Sequence, residues 1–251
     1  MRARVPRCRG GSRGAEWFRG RGWPALLLVA AILAVACAGP GPERPPPLVA
    51  AASDSAAARC AACFPQGRWQ MLHAIDFHLA DGTGGNAMGV LMLDGHSLSC
   101  ALMTVEGLTL FEARSPADGS LEVLRALPPF DGQAFAAGLV ADIRTLFLPP
   151  AGTADHGRLA DGSPLCRFTA ERTVTDVLPG ADGCFRLSTY ARSPASGTEF
   201  PVRIRTVEAR ACGPVGGGIL PREVTLTGHG PAAYTLNLRL LEAEPLPASA
   251  P

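Results

Sequence analysis

The chain has no lysine among its 23 basic residues, only two tyrosines, and aromatic side chains at 6% of its 251 positions. The missing lysine goes with a richness in alanine, glycine, proline and arginine. It reads as genome bias and carries no function. The absent signatures say more. No G-x-S-x-G nucleophile elbow, Walker A loop or H-E-x-x-H zinc helix occurs, which weighs against the common hydrolase and nucleotide-dependent classes. No alternation of strand and helix is legible, so a parallel nucleotide-binding sheet is not expected. Gly82-Thr83-Gly84-Gly85-Asn86-Ala87 matches the letters of a dinucleotide fingerprint. It lies between two predicted strands and opens no helix, whereas that chemistry needs a helix N-terminus facing the pyrophosphate, so we read it as a hairpin loop. The longest apolar stretch, Trp23 to Ala36, falls short of the roughly 20 residues a bilayer-spanning helix requires.

That stretch has a different meaning. Seven arginines between Arg2 and Arg21 precede it, and it closes on Leu33-Ala34-Val35-Ala36-Cys37. A basic region, a short apolar region, small residues and then cysteine resemble the signal and lipobox of a bacterial lipoprotein, although Ala34 stands where leucine is commoner. The resemblance implies cleavage before Cys37 and fatty acylation of its amino terminus and thiol, palmitate being the usual chain. Ala38 is not the aspartate that retains such proteins in the inner membrane, so the outer membrane, periplasmic side, is the expected location. The alternative is ordinary signal cleavage elsewhere. Removal of residues 1–36 takes seven arginines and Glu16, leaving 16 basic and 21 acidic residues, a charge of about −5. Affinity for nucleic acid or for anionic lipid surfaces is therefore not expected.

The mature sequence divides into a lipidated cysteine, proline-rich tether and short helix over 37–64, one domain over 65–245 and a flexible tail over 246–251. Ala38 to Pro47 reads as a polyproline spacer of roughly 30 Å. Ser53 or Asp54 can cap a short alanine-rich helix ending near Phe64. From Trp69, alternation puts Trp69, Met71, Ile75, Phe77 and Leu79 on one strand face, interrupted by His73. Turns at Asp81-Gly82, Asp94-Gly95, Glu106-Gly107 and Asp118-Gly119 separate strands near 87–93, 97–104, 108–114 and 120–126. A helix follows with Phe135, Leu139, Ile143 and Leu146 on one face, stopped by Pro149-Pro150. After a polar loop over 153–164, strands resume near 165–171, 173–178, 184–191, 201–209, 222–227 and 233–241. The expected class is mainly β, an antiparallel meander with a helix covering its apolar face.

Cys60, Cys63, Cys100, Cys166, Cys184 and Cys212 form an even set in an oxidising compartment, with 15 connectivities for three bridges. Cys166 with Cys184, on neighbouring predicted strands, is the preferred single pair. Cys60 and Cys63 have thioredoxin-like spacing without the surrounding βαβ pattern, so a structural role is expected over disulfide exchange. Asp76 and His78 project from one strand face and His73 from the other. No metal site is expected, His156 and His229 receive no role, and neither a cofactor nor an enzymatic activity is expected.

From Trp69 to about Pro150 the chain resembles outer-membrane lipoproteins of the LolB-like type and the related DUF3261 lipoproteins. The resemblance rests on Leu91-Met92-Leu93-Asp94-Gly95, Leu102-Met103-Thr104-Val105-Glu106-Gly107, Leu108-Thr109-Leu110-Phe111-Glu112-Ala113-Arg114 and the following amphipathic helix. Leu220-Pro221-Arg222-Glu223-Val224-Thr225-Leu226 and Tyr234-Thr235-Leu236-Asn237-Leu238 look like the closing hairpin. It implies an open, curved antiparallel half-barrel (LolA/LolB-like) covered by helices and able to receive an acyl chain or a lipoprotein cargo. The candidate lining is Trp69, Met71, Ile75, Phe77, Leu91, Leu93, Leu102, Leu110, Phe135, Leu139 and Ile143. Val105 is the nearest match to the exposed turn residue that assists lipoprotein transfer in LolB-like proteins, without their Pro-Leu-Gly-like turn. A monomer with no nucleic-acid partner, joined to the membrane through its N-terminal lipid, is expected. The alternatives are a structural or assembly lipoprotein that holds a protein partner, and a tethered thiol protein using Cys60 and Cys63.

Overall fold

The computed structural model describes residues 44–50, 54–191 and 202–247. The signal segment, Cys37, the spacer before residue 44 and residues 248–251 lie outside them. Thirteen strands are present among the described residues: β1 (Val49–Ala50), β2 (Arg68–Leu79), β3 (Gly84–Asp94), β4 (Ser97–Met103), β5 (Thr109–Ser115), β6 (Glu122–Ala126), β7 (Thr153–Arg158), β8 (Pro164–Thr169), β9 (Thr173–Pro179), β10 (Phe185–Ala191), β11 (Val202–Val215), β12 (Gly218–Gly228) and β13 (Tyr234–Leu246). They form one open sheet in the order β1-β7-β8-β9-β10-β11-β12-β13-β2-β3-β4-β5-β6. Neighbours pair antiparallel, as expected of hairpin-connected strands. Two helices accompany them among the described residues, α1 (Asp54–Ala61) and α2 (Gln133–Phe147). Neither is long and apolar enough to cross a membrane.

The hairpins follow from local chemistry. Asp94 pairs with Ser97 across Gly95-His96, and Gly95 takes a φ of 60° that a side chain would oppose. Register then carries the apolar face across the sheet. Met71 stands opposite Leu91, Leu91 opposite Cys100 and Cys100 opposite Ala113. On the other side, Leu187 stands opposite Val207, Val207 opposite Leu226 and Leu226 opposite Leu236. These rows form one core together with Ala136, Val140, Leu146 and Phe147 of α2.

Helix α2 touches Arg205 of β11, Tyr234 of β13, His73 of β2 and Ser115 of β5. Six inter-strand gaps of about 4.8 Å separate β11 from β5, so a flat sheet would spread these points over about 29 Å. A 15-residue helix is about 22 Å long and about 10 Å wide, so the sheet curves around it.

The structure departs from the sequence reading in four places. Residues 153–158, expected as loop, form β7, because Thr153 to Arg158 pair with β8 although they offer little apolar surface. The buried face of α2 is turned from the expected one: Ala136, Val140, Leu146 and Phe147 are buried, while Phe135 is 40% exposed and Leu139 and Ile143 are half-buried. Cys166 does not bond Cys184. The bridges are Cys60–Cys166 and Cys184–Cys212, with Cys63 and Cys100 free and buried. Strand β9 lies between Cys166 on β8 and Cys184 at the start of β10, whereas Cys212 sits on β11 next to that start.

The fourth concerns the end of the spacer and the residues after it, which lie on the sheet rather than free of it: the Pro46 carbonyl accepts a 2.8 Å hydrogen bond from Arg167 Nη2, and Val49 and Ala50, beyond the spacer, pair with Arg158 and Gly157. Arg167 is itself clamped in two parallel bonds of 2.7 Å to Asp176, whose side chain is 1% exposed. Together with the Cys60–Cys166 bond, this fixes the N-terminal arm to β7–β9.

Candidate functional site

The concave face and α2 carry the candidate site residues. Trp69, Met71, Leu91 and Leu93 of the expected lining are buried there, and Ile75, Leu102, Leu139 and Ile143 are half-buried against the same core. Phe77 is half-buried, its ring stacked where Gly85 leaves room. Leu110 is not on this face: Phe111 pairs with Leu102 in the same register as Ala113 with Cys100, so Phe111 is inward and fully buried, and the register shift lies beyond it. Phe111 meets Phe135 edge-on with ring centres 6.5 Å apart, and Phe135 meets Phe130 at 5.2 Å. Val105 (70% exposed) and Leu108 (51%) project from the β4–β5 turn.

Helix α2 is fastened to this apolar face by polar contacts. Asp142 points inward with an 8% exposed side chain; its Oδ1 accepts from Arg205 Nε at 2.5 Å and its Oδ2 from the Tyr234 hydroxyl at 2.5 Å. Burial pushes the Asp142 carboxyl above the ordinary carboxylate value, against the downward pull of Tyr234 and Arg205. Burial first, and the facing carboxylate second, push the Tyr234 hydroxyl up to about 12. Room for the Tyr234 ring comes from Gly228 directly opposite it, where any Cβ would overlap the ring. On the helix's other flank, Arg144 reaches the His96 carbonyl at 3.3 Å, Ser115 Oγ at 3.4 Å and the Pro116 carbonyl at 3.5 Å.

At the C-terminal end of α2 a cavity of about 10 Å³ remains, lined by Met71, His73 and Leu240 of the sheet, Leu146 and Phe147 of α2, and Cys63. His73 is 4% exposed, has its ring 5.2 Å from Phe147 and makes no hydrogen bond with any described residue. Burial holds its imidazole down at about 4, hence neutral. Burial pushes the Cys63 and Cys100 thiols up to about 11, away from the nucleophilic thiolate. Among the described residues no three His, Cys, Asp or Glu side chains converge as metal ligands.

Sequence reasoning missed Asp142, Arg205 and Tyr234. One signal was available: Asp142 is the single acid within the apolar run of α2, between Val140 and Ile143. Cys37, the proposed acylation site, lies outside the described residues.

No family model and no curated protein matches this chain. Solved structures that align with it include the following three. A LolA superfamily protein from Nitrosomonas europaea aligns with a TM-score of 0.48 and 11% identity, covering 79% of this chain and 96% of its own. A putative outer membrane lipoprotein-sorting protein domain from Vibrio parahaemolyticus aligns with a TM-score of 0.45 and 12% identity, covering 75% and 90%. A DUF1329 family protein from Desulfovibrio piger aligns with a TM-score of 0.45 and 6% identity, covering 76% and 90%.

Proposed function

We propose that this chain is a non-enzymatic lipoprotein, held at the periplasmic side of the outer membrane through acylated Cys37, that takes an acyl chain or lipid-linked molecule between α2 and the sheet. A lipoprotein's own lipid is included in that class. The observation that carries the reading is the mixed attachment of α2: an apolar underside on an apolar concave face, fixed by the Asp142–Arg205–Tyr234 and Arg144 contacts. When the helix lifts, its apolar packing is exchanged for packing against an acyl chain of equal apolarity, and the freed polar groups return to water. The net cost of exchange is small. The 10 Å³ cavity is far below the ~300 Å³ at which ligand pockets begin, so binding of an acyl chain requires α2 to lift from the sheet.

The test uses the full chain with Cys37→Ser, which removes the protein's own lipid from the measurement. Native mass spectrometry and titration with a fluorescent long-chain fatty acid should show one saturable site, tightened when Arg205→Met loosens α2. Absence of both co-purified lipid and saturable binding overturns the reading.

The close seating of α2 supports a second reading, in which the domain holds a protein partner at the membrane and the concave face is only core. Site-specific crosslinking that yields a discrete protein adduct, with no bound lipid, decides for it.

A further inference from the structure

We propose that Cys63, Met71 and His73 form a binding site for a single soft monovalent cation, Cu(I), in the cavity at the C-terminal end of α2. The three side chains line that one cavity, and each is more than nine-tenths buried. Met71 and His73 are two residues apart on β2 and therefore share a face, about 6.6 Å apart along the strand. Cys63 comes from the other side, three residues beyond Cys60, whose bond to Cys166 fixes the position of this segment before any ligand arrives. Its Sγ has only a weak 3.4 Å contact, to the Arg59 carbonyl, to give up.

His73 is the decisive residue. A buried imidazole normally satisfies its ring nitrogens with a partner. This one faces a cavity and makes no hydrogen bond among the described residues. No described side chain competes for its ring nitrogens, so a metal bond there need displace only solvent from the cavity.

The donor set selects the metal. A thiol, a thioether and an imidazole are soft to intermediate donors, and among the described residues no carboxylate lines the cavity, which disfavours Ca²⁺, Mg²⁺ and Mn²⁺. Zinc prefers four N, S or O ligands and makes little use of a thioether. Charge points the same way. On binding, the Cys63 S–H bond breaks, a Cu–S bond forms and the proton leaves to solvent, with no change of oxidation state. Cu(I) with one thiolate is neutral, whereas a divalent ion would leave an uncompensated charge among Leu146, Phe147 and Leu240. The half-buried Pro65 and Pro221 also line the cavity.

The test is anaerobic titration of the full mature protein with Cu(I) against a chromophoric Cu(I) chelator. One equivalent should be withheld from the chelator, and X-ray absorption should show sulfur and nitrogen in the first shell. Met71→Leu, nearly isosteric, and His73→Phe should weaken binding at least about 100-fold, the loss expected when a first ligand is removed from a site where outer partners alone are worth 10–100-fold. Cys100→Ser should leave it unchanged. Circular dichroism confirms that each variant is folded. The proposal is overturned if the wild-type protein withholds no copper, if the first shell contains no nitrogen, if folded Met71→Leu and His73→Phe bind as the wild type does, or if Zn(II) displaces Cu(I) at equal concentration.

Discussion

Arg205→Met removes the cation that faces Asp142 and leaves a carboxylate that is 8% exposed with Tyr234 as its remaining partner. Breaking a buried pair on one side costs about 3–5 kcal/mol, because the surviving charge is left without compensation. Asp142→Leu should cost less: Arg205 is 23% exposed and its long stem lets the guanidinium reach water. The double variant replaces a buried pair with packed apolar groups and should recover most of the loss, leaving it at least about 2 kcal/mol more stable than the sum of the single changes. The sign with pH is fixed by the direction of the Asp142 shift. A carboxyl whose folded value lies above its unfolded value costs stability when ionised, and the cost falls as pH drops through the folded value. Loss of Arg205 raises that value further, so the Arg205→Met deficit should be smaller at about pH 5 than at about pH 7.5, while the double variant shows no such difference. Urea unfolding followed by tryptophan fluorescence and far-UV circular dichroism at both pH values measures all four corners of the cycle. Additive single changes, or a deficit under about 1 kcal/mol for Arg205→Met, would refute the view that this pair holds α2 down.

Three further predictions concern the frame around the site. Removing Cys60–Cys166 by paired alanine substitution should destabilise more than removing Cys184–Cys212, since they close loops of separation 106 and 28; the chain-entropy argument gives about 4.8 and about 3.6 kcal/mol. Urea midpoints of the two variants check the order, and thiol titration should find Cys63 and Cys100 reactive only after unfolding. Gly228→Ala places a methyl group into the Tyr234 ring and should cost about 1–3 kcal/mol by thermal melting, with Tyr234→Ala in the same chain removing the clash.

Much of the fold was legible because its connections are short. Hairpins at Asp94-Gly95 and Asp182-Gly183 are written in local turn chemistry, and strands β2 to β5 and β8 to β13 follow from the alternation between turns. Features set by distant partners were not legible. Strand β7 gets its conformation from pairing with β8, and β1 from pairing with β7. Phe111 lies inward in plain alternation with Ala113 and Ser115, whose small side chains give a weaker apolar signal than Leu108 and Leu110 on the other face. The rotation of α2 reflects where a curved sheet offers depth: small Ala136 and Val140 fit beneath the helix, while Phe135 finds other rings at its rim. Disulfide choice depended on which strand separates two cysteines, which spacing cannot tell. Trp69, Met71, Leu91 and Leu93 were legible as inward-facing core positions because alternation and burial agree; Asp142 was passed over because a lone acid in a helix is usually solvated.

The arm over residues 44–60 also sets a mechanical load path. A pull on the chain from its N-terminal side meets the Pro46 carbonyl held by the Arg167–Asp176 clamp, then β1 paired to β7. If both peel away, the force arrives at Cys60 and passes through a covalent bond into β8. Tension is therefore shared with β7 and β8, at one margin of the sheet, before it reaches β2. Drag on the domain at a surface would swing it about that margin without prising the helix from the concave face.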